Sequence, residues 1–121
     1  MNDKAYWAVT GVFCLFFTFG GAAHLFRAEQ MVEGMTHLGY PVYVMTIIGA
    51  AKLCGVVALL VPKQPLLKEW AYAGFAFDLI GAVASHLFVG DGFGETAPPA
   101  VLLLVGAASW KLRPASRRLV A

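Results

Sequence analysis

The 121-residue sequence is poor in charged residues. Only 13% of the residues are Asp, Glu, Lys or Arg, whereas 60% are hydrophobic. A chain this short and this apolar is unlike an ordinary soluble domain and is typical of a small membrane protein. The formal net charge of +2 does not indicate a nucleic-acid partner, because the placement of the basic residues, described below, is a signal of membrane topology.

Cysteine and histidine are also scarce. Cys14 and Cys54 show no CxxC spacing, so neither a redox motif nor a zinc site is indicated. Both lie inside apolar stretches, where a free cysteine usually serves as a small buried hydrophobe. His24 and His86 would supply only two ligands to a metal ion, and hydrogen bonding to backbone carbonyls is the interpretation we favour for them. We therefore predict no metal site.

Long apolar runs divide the chain into four predicted membrane-spanning helices. The central run, Trp70 to Val89, has about 20 residues and would span about 30 Å, the thickness of one hydrocarbon layer. Residues 27–40 are more polar, and their apolar side chains recur at helical spacing, which predicts a short interfacial helix. The predicted fold is an all-α integral membrane four-helix bundle in a single domain, 1–121. Its predicted spans cover residues 5–26, 41–61, 70–89 and 97–112.

Basic residues are unevenly distributed between the predicted loops. Seven of the nine Lys and Arg residues lie near span ends on the side that carries both termini, and only Arg27 lies near the span ends on the other side. The positive-inside rule then predicts that both termini are cytoplasmic. The seven residues are Lys4, Lys63, Lys68, Lys111, Arg113, Arg117 and Arg118. We expect Lys111 and the three tail arginines, Arg113, Arg117 and Arg118, to snorkel or to lie in water.

Two predicted spans carry opposite charges near the middle of the bilayer. Lys52 lies about 16 Å below the outer face, counted from Pro41, and Asp78 lies about 18 Å below it, counted from Trp70. A charge at this depth costs roughly 2.5 to 3.5 kcal/mol on insertion scales. Because consecutive antiparallel helices usually pack side by side, the sequence predicts an ion pair between Lys52 and Asp78.

Helical-wheel positions predict which faces meet protein. Asp78 shares a stripe of the third span with small residues, which permit close helix approach, so this stripe is predicted to face a neighbouring helix and the bulky face to meet lipid. The stripe comprises Ala71, Gly74, Asp78, Gly81, Ala82 and Ser85, and the bulky face includes Phe75 and Leu79. The aromatic run of the first span is predicted to face lipid rather than to form a quinone-stacking platform. It comprises Phe13, Phe16, Phe17 and Phe19.

The Lys52–Asp78 pair has two interpretations. It could be structural, fixing the register of the helices. It could instead form part of a pocket opening to the outer side, in which Asp78 accepts a proton and Lys52 keeps it ionised. The catalytic candidates are Asp78 and Lys52, the ligand-binding candidates are His24, Lys52, Asp78, Ser85 and His86, and the outer-rim candidates are Glu33, His37, Asp91 and Glu95.

Three segments resemble the DoxX-like family of small four-helix membrane proteins. They are HLGYPVYVMTIIGAAKLCGVVALLVP, LKEWAYAGFAFDLIGAVASHLFVGD and the APP-initiated last helix ending in KLRP, and the resemblance covers about residues 5–114. It implies a bacterial inner-membrane protein. Lys52, Asp78, His86 and Asp91 match polar positions of the family, whereas His24 departs from its pattern.

The resemblance implies two functions of different kinds. The family name comes from a small subunit associated with a thiosulfate:quinone oxidoreductase, which suggests a redox-associated or small-molecule-binding membrane subunit, with quinone or another lipophilic small molecule as the ligand. Other relatives resemble assembly factors, which suggests a non-enzymatic scaffold acting in a homo-oligomer or with a partner membrane subunit. The sequence contains no flavin, haem or iron–sulfur motif, so it does not assign an enzymatic reaction. A proton-coupled transporter ranks last, because no inverted repeat is visible.

Overall fold

A computed structural model describes residues 3–118, and this part of the chain is entirely helical, without strands. The prediction of an all-α fold is confirmed. The helices are α1 (Asp3–Leu25), α2 (Glu29–Leu38), α3 (Tyr43–Leu60), α4 (Pro65–Phe88), α5 (Phe93–Lys111) and a 3-10 turn at Ala115–Arg117.

Three helices, α1, α3 and α4, are long and apolar enough to cross a membrane. The last long helix, α5, is not among them, since its first turns carry Glu95, Pro98 and Pro99. Helix composition therefore supports three of the four predicted spans. The four-helix membrane bundle stays a prediction.

Two helices begin earlier than the apolar pattern predicts. Helix α4 begins at Pro65, where proline suits the first helical position, so residues 65–69 are helical rather than a connection. Helix α5 begins at Phe93, inside the segment predicted to be a glycine-rich turn. The predicted short helix between the first two spans is present as α2, and it ends at Gly39 in the left-handed conformation that favours glycine.

The four long helices form a closed ring of neighbours. Both α1 and α4 pack against α3 and against α5. The core contains a cluster of aromatic rings, Phe13, Phe17 and Phe75, whose centroids lie 4.3 to 5.2 Å apart. The prediction that the aromatic run of α1 faces lipid is therefore wrong for Phe13 and Phe17, which are buried, although Phe16 is exposed.

The helical-wheel prediction for α4 is wrong for two bulky and two small residues, although Ile80 and Leu87 of the predicted lipid-facing set are exposed. Tyr72, Phe75 and Leu79 are buried, whereas Gly74 and Gly81 are exposed, with open space beside them. The bulky residues follow one another at helical spacing and fill the interior between α3 and α5. The small residues leave part of the α4 surface recessed.

Close helix contact occurs instead between α1 and α3. A Cβ atom added at Gly49 would lie 2.8 Å from the carbonyl oxygen of Gly21, and one added at Gly21 would lie 3.1 Å from the carbonyl oxygen of Gly49. Glycine at both positions lets the two backbones approach in the manner of small-residue contacts between membrane helices. Gly55 is similarly close to the ring of Phe75.

Candidate functional site

Lys52 on α3 lies at the centre of a small polar cluster within the helices. Its Nζ lies 4.0 Å from Oδ2 of Asp78 on α4, and it donates a hydrogen bond to Nδ1 of His24 on α1 at 3.3 Å. The same ammonium lies 5.4 Å from the centre of the Phe17 ring, within cation–π range. The opposite charges thus lie at one level. Because 4.0 Å is too long for a hydrogen bond, a tight ion pair stays a prediction.

An apolar groove between α3 and α4 leads to these charges. Its volume is about 480 Å³, in the range of small-molecule sites. Lys52 and Asp78 are its ionisable lining residues, and their side chains are 15% and 28% exposed. Cys54 and Trp70 also line the groove. The prediction of buried cysteines is correct for Cys14 and wrong for Cys54, which is exposed because it faces this opening rather than the core.

One end of the long helices is covered by α2 and the α4–α5 turn, and we call it the loop end. A second polar cluster lies there. His37 Nε2 is 2.7 and 2.9 Å from the two carboxylate oxygens of Asp91, and His86 Nδ1 is 2.6 Å from one of them. Beside them, the hydroxyls of Tyr40 and Ser85 are 2.6 Å apart. These contacts tie α2 to the last turn of α4.

The structure therefore divides the predicted ligand-binding residues between two places. His24, Lys52 and Asp78 lie together, but Ser85 and His86 belong to the loop-end cluster, about 10 to 12 Å further along α4. Of the predicted rim residues, His37 and Asp91 are bonded to each other, whereas Glu33 and Glu95 are exposed. Within residues 3–118, no group of three or more His, Cys, Asp or Glu side chains has a geometry suited to a metal ion.

Hydrogen bonds from His86 and His37 hold the pKa of Asp91 below its ordinary value of 3.8. A carboxyl group whose pKa is lowered by folding stabilises the folded state above its unfolded pKa, and this stabilisation disappears as the pH falls through the lower folded value. We expect Asp91→Asn to lower the melting temperature in detergent near neutral pH. The difference from the unaltered chain should shrink below about pH 4.

Thermal unfolding followed by circular dichroism at several pH values tests this expectation. Glu95→Gln is the matched control, since it removes an exposed carboxylate near the same turn. If the difference in melting temperature between Asp91→Asn and the unaltered chain stayed constant down to pH 3, the carboxylate charge would not be what holds the two histidines.

The end of the helices opposite the loop end, where the described chain begins and stops, we call the tail end. Sequence reasoning missed a polar cluster at this end. Arg117 donates to the hydroxyl of Tyr6 at 3.0 Å and to the carbonyls of Leu59 and Val61 at 2.5 and 3.1 Å. Lys68 is fully buried, and its ammonium donates to the carbonyls of Ala58, Val61 and Lys63.

Both cations thus bind the carbonyl end of α3, where intrahelical donors run out and the helix dipole favours positive charge. The prediction that the tail arginines snorkel or lie in water is wrong for Arg113 and Arg117, which are buried. The pattern that placed them at a span exit did not reveal that the chain turns back under α3 at Pro114.

A hydroxyl cluster joins three helices near the tail end. Thr10 and Ser109 have hydroxyl oxygens 2.5 Å apart, and the Tyr72 hydroxyl is 2.7 Å from Ser109. All three residues are buried. Their signal in the sequence was the presence of hydroxyl side chains inside otherwise apolar helices, where each must find a partner.

The helices and their buried charges define a small all-α membrane protein. A family model described as the DoxX-like family matches residues 8–109. The chain therefore belongs to the DoxX-like family, and the resemblance seen in its sequence is confirmed. Searches of curated proteins and of solved structures find no match.

Proposed function

We propose that the α3–α4 groove binds a lipophilic small molecule with a polar head group, with quinone as the ligand class. The observation that supports this proposal is a single groove that joins apolar walls to two ionisable side chains, Lys52 and Asp78. A ligand tail would lie against the walls, and the head group would meet the charges. The membrane is then the route of entry, since the groove lies between two helices of spanning length.

The two charged side chains offer complementary chemistry to such a head group. The Lys52 ammonium can donate a hydrogen bond to a carbonyl oxygen, and the Asp78 carboxylate can accept one from a hydroxyl or take up its proton. His24 already accepts a hydrogen bond from Lys52 and so orients the ammonium. A quinone and its quinol present these two kinds of oxygen.

Trp70 provides a fluorescent reporter inside the groove. In a chain whose other tryptophans are replaced, Trp7→Phe and Trp110→Phe, we expect decylubiquinone to quench Trp70 saturably. The paired change Lys52→Met with Asp78→Asn removes both charges without leaving one unpaired. It should weaken binding at least about tenfold, which corresponds to about 1.4 kcal/mol.

Groove filling tests the location independently of charge. Ala51 lines the groove, whereas Ala50 is exposed outside it, so Ala51→Phe should abolish saturable quenching and Ala50→Phe should not. If the variant Lys52→Met with Asp78→Asn kept its helicity and its affinity for decylubiquinone, a role for the two charges would be rejected. Equal behaviour of Ala50→Phe and Ala51→Phe would reject the groove.

We further propose that both termini lie on the cytoplasmic side of the bacterial inner membrane. Burial of Lys68, Arg113 and Arg117 reduces the count of exposed basic residues, yet Lys4, Lys63, Lys111 and Arg118 remain exposed at the tail end, against Arg27 at the loop end. The excess of exposed basic residues at the tail end therefore remains after the buried ones are left out. A C-terminal green fluorescent protein fusion should fluoresce and an alkaline phosphatase fusion should be inactive, and the reverse pattern would overturn this orientation.

A further inference from the structure

We propose that a second groove, between α4 and α5, binds an acidic phospholipid, with an acyl chain in the groove and the phosphate at Lys111, Arg113 and Arg118. This groove is distinct from the α3–α4 groove, and Phe75 is the lining residue that the two have in common.

The groove has the shape and chemistry of a hydrocarbon site. Its volume is about 330 Å³, and its lining combines small residues, which leave space between the two helix surfaces, with larger apolar side chains. Ala73 and Ala107 are exposed, so the groove is open along its length. Phe13 and Leu79 close its inner wall. An occupant can therefore enter from the surrounding lipid.

Cations are concentrated where the groove meets the tail end. Arg113 donates to Oε2 of Glu69, a groove residue, at 3.2 Å, and its guanidinium lies 4.5 Å from the ring centre of Trp110. Arg118 donates to the carbonyls of Arg113 and Lys111 at 2.7 and 3.4 Å, which holds its guanidinium beside the last turn of α5.

The balance of charge selects an anionic head group. Glu69 is the carboxylate among the groove-lining residues and pairs with Arg113, whereas Lys111 and Arg118 add two exposed positive charges near the C-terminal end of α5, so positive charge is in excess. The Nε of Arg113 is buried and has no hydrogen-bond partner among residues 3–118, so Arg113 would act on a head group through its charge, and the exposed Lys111 and Arg118 would supply the accessible donors. Trp110 lies in the last turn of α5 and lines the groove, and tryptophan is enriched where membrane proteins meet the lipid head groups. Basic residues at a membrane surface attract acidic lipids.

Trp110 reports on the occupant directly. In a chain carrying Trp7→Phe and Trp70→Phe, reconstituted in mixed vesicles, we expect dibromo-phosphatidylglycerol to quench Trp110 more strongly than dibromo-phosphatidylcholine. The binding constant for phosphatidylglycerol should be about five times that for phosphatidylcholine. It should fall with rising ionic strength, because exposed charges are screened.

Matched variants separate the contribution of the lipid head group to binding from that of the acyl chain. Lys111→Gln with Arg118→Gln should reduce the preference to about one, whereas Lys63→Gln, which removes another exposed lysine of the tail end, should preserve it. Ala107→Leu fills the groove and should reduce quenching by both lipids, and Ala50→Leu should leave it unchanged.

Three results would overturn the proposal. These are equal quenching by the acidic and the zwitterionic lipid in the reporter chain, a preference that survives Lys111→Gln with Arg118→Gln, and quenching that Ala107→Leu leaves intact. If inorganic phosphate at matched ionic strength removed the preference, the site would bind phosphate itself rather than a lipid. Because Trp70 and decylubiquinone probe the other groove, failure of one proposal leaves the other standing.

Discussion

Replacing Arg117 by alanine is expected to lower the free energy of unfolding by about 3 kcal/mol or more. The side chain is 8% exposed, donates to the hydroxyl of Tyr6 and to two carbonyls of α3, and lies 4.7 Å from the ring centre of Trp7. Its removal leaves buried acceptors without a donor, at a cost of about 1 to 3 kcal/mol each. Val61 keeps a bond from Lys68, so the largest loss falls on Leu59 and Tyr6.

Reversible unfolding in mixed micelles, followed by circular dichroism, measures this loss. Lys63→Ala is the control, since it removes an exposed cation from the same end and should change stability by no more than about 0.5 kcal/mol. Arg117→Lys should recover only part of the stability, because an ammonium cannot reproduce the guanidinium fork. Equal stability of Arg117→Ala and Lys63→Ala would show that the tail does not hold α1 to α3.

Arg117 also illustrates what the sequence could not reveal. Counting basic residues near span ends depends only on their position in the chain, and it correctly identified an end rich in positive charge. Burial depends on where the chain goes after α5, and that is decided by the turn at Pro114 and by unpaired carbonyls on α3, far away in sequence. Long-range contacts of this kind leave no local periodicity.

That Lys52 and Asp78 lie at one level along the helices was predictable for the opposite reason. Helix rise per residue is nearly constant, so counting from the helix ends placed Lys52 and Asp78 at one depth, and their charged atoms lie 4.0 Å apart. Rotation of each helix about its axis is not fixed by counting. The helical wheel of α4 was oriented on its small residues, but Tyr72, Phe75 and Leu79 bury more apolar surface and so point into the core.

The hydrogen bonds within the loop-end cluster were not predicted, for a related reason. His37, His86 and Asp91 were each assigned to the outer region, which their sequence positions indicate. Their mutual hydrogen bonds require α2 to lie across to the end of α4, and the amphipathic pattern of α2 predicts a helix but not its direction. Of the five predicted ligand-binding residues, Lys52 and Asp78 line the α3–α4 groove, whereas His24, Ser85 and His86 do not, and their role in ligand binding stays a prediction.

Replacing Gly49 by alanine should destabilise the protein by at least about 2 kcal/mol. The added Cβ would lie 2.8 Å from the carbonyl oxygen of Gly21 and 3.0 Å from the backbone nitrogen of Leu25. Overpacking costs about 1 to 3 kcal/mol where side chains can adjust. Here two of the three nearest atoms belong to the backbone and cannot rotate away, so α1 and α3 must separate along their contact.

Gly11→Ala is the matched control, because Gly11 is an exposed residue inside α1 and nothing lies within 4 Å of the Cβ atom that the change would add. It should leave stability unchanged or raise it by up to about 1 kcal/mol, since alanine favours the helix. The same unfolding assay in micelles compares the two variants.

Separation of α1 from α3 should also disturb the hydrogen bond between His24 and Lys52. Gly49→Ala should therefore weaken the quenching of Trp70 by decylubiquinone, whereas Gly11→Ala should not. If Gly49→Ala were as stable as Gly11→Ala, the close contact of α1 with α3 would not be the packing that positions the Lys52 cluster.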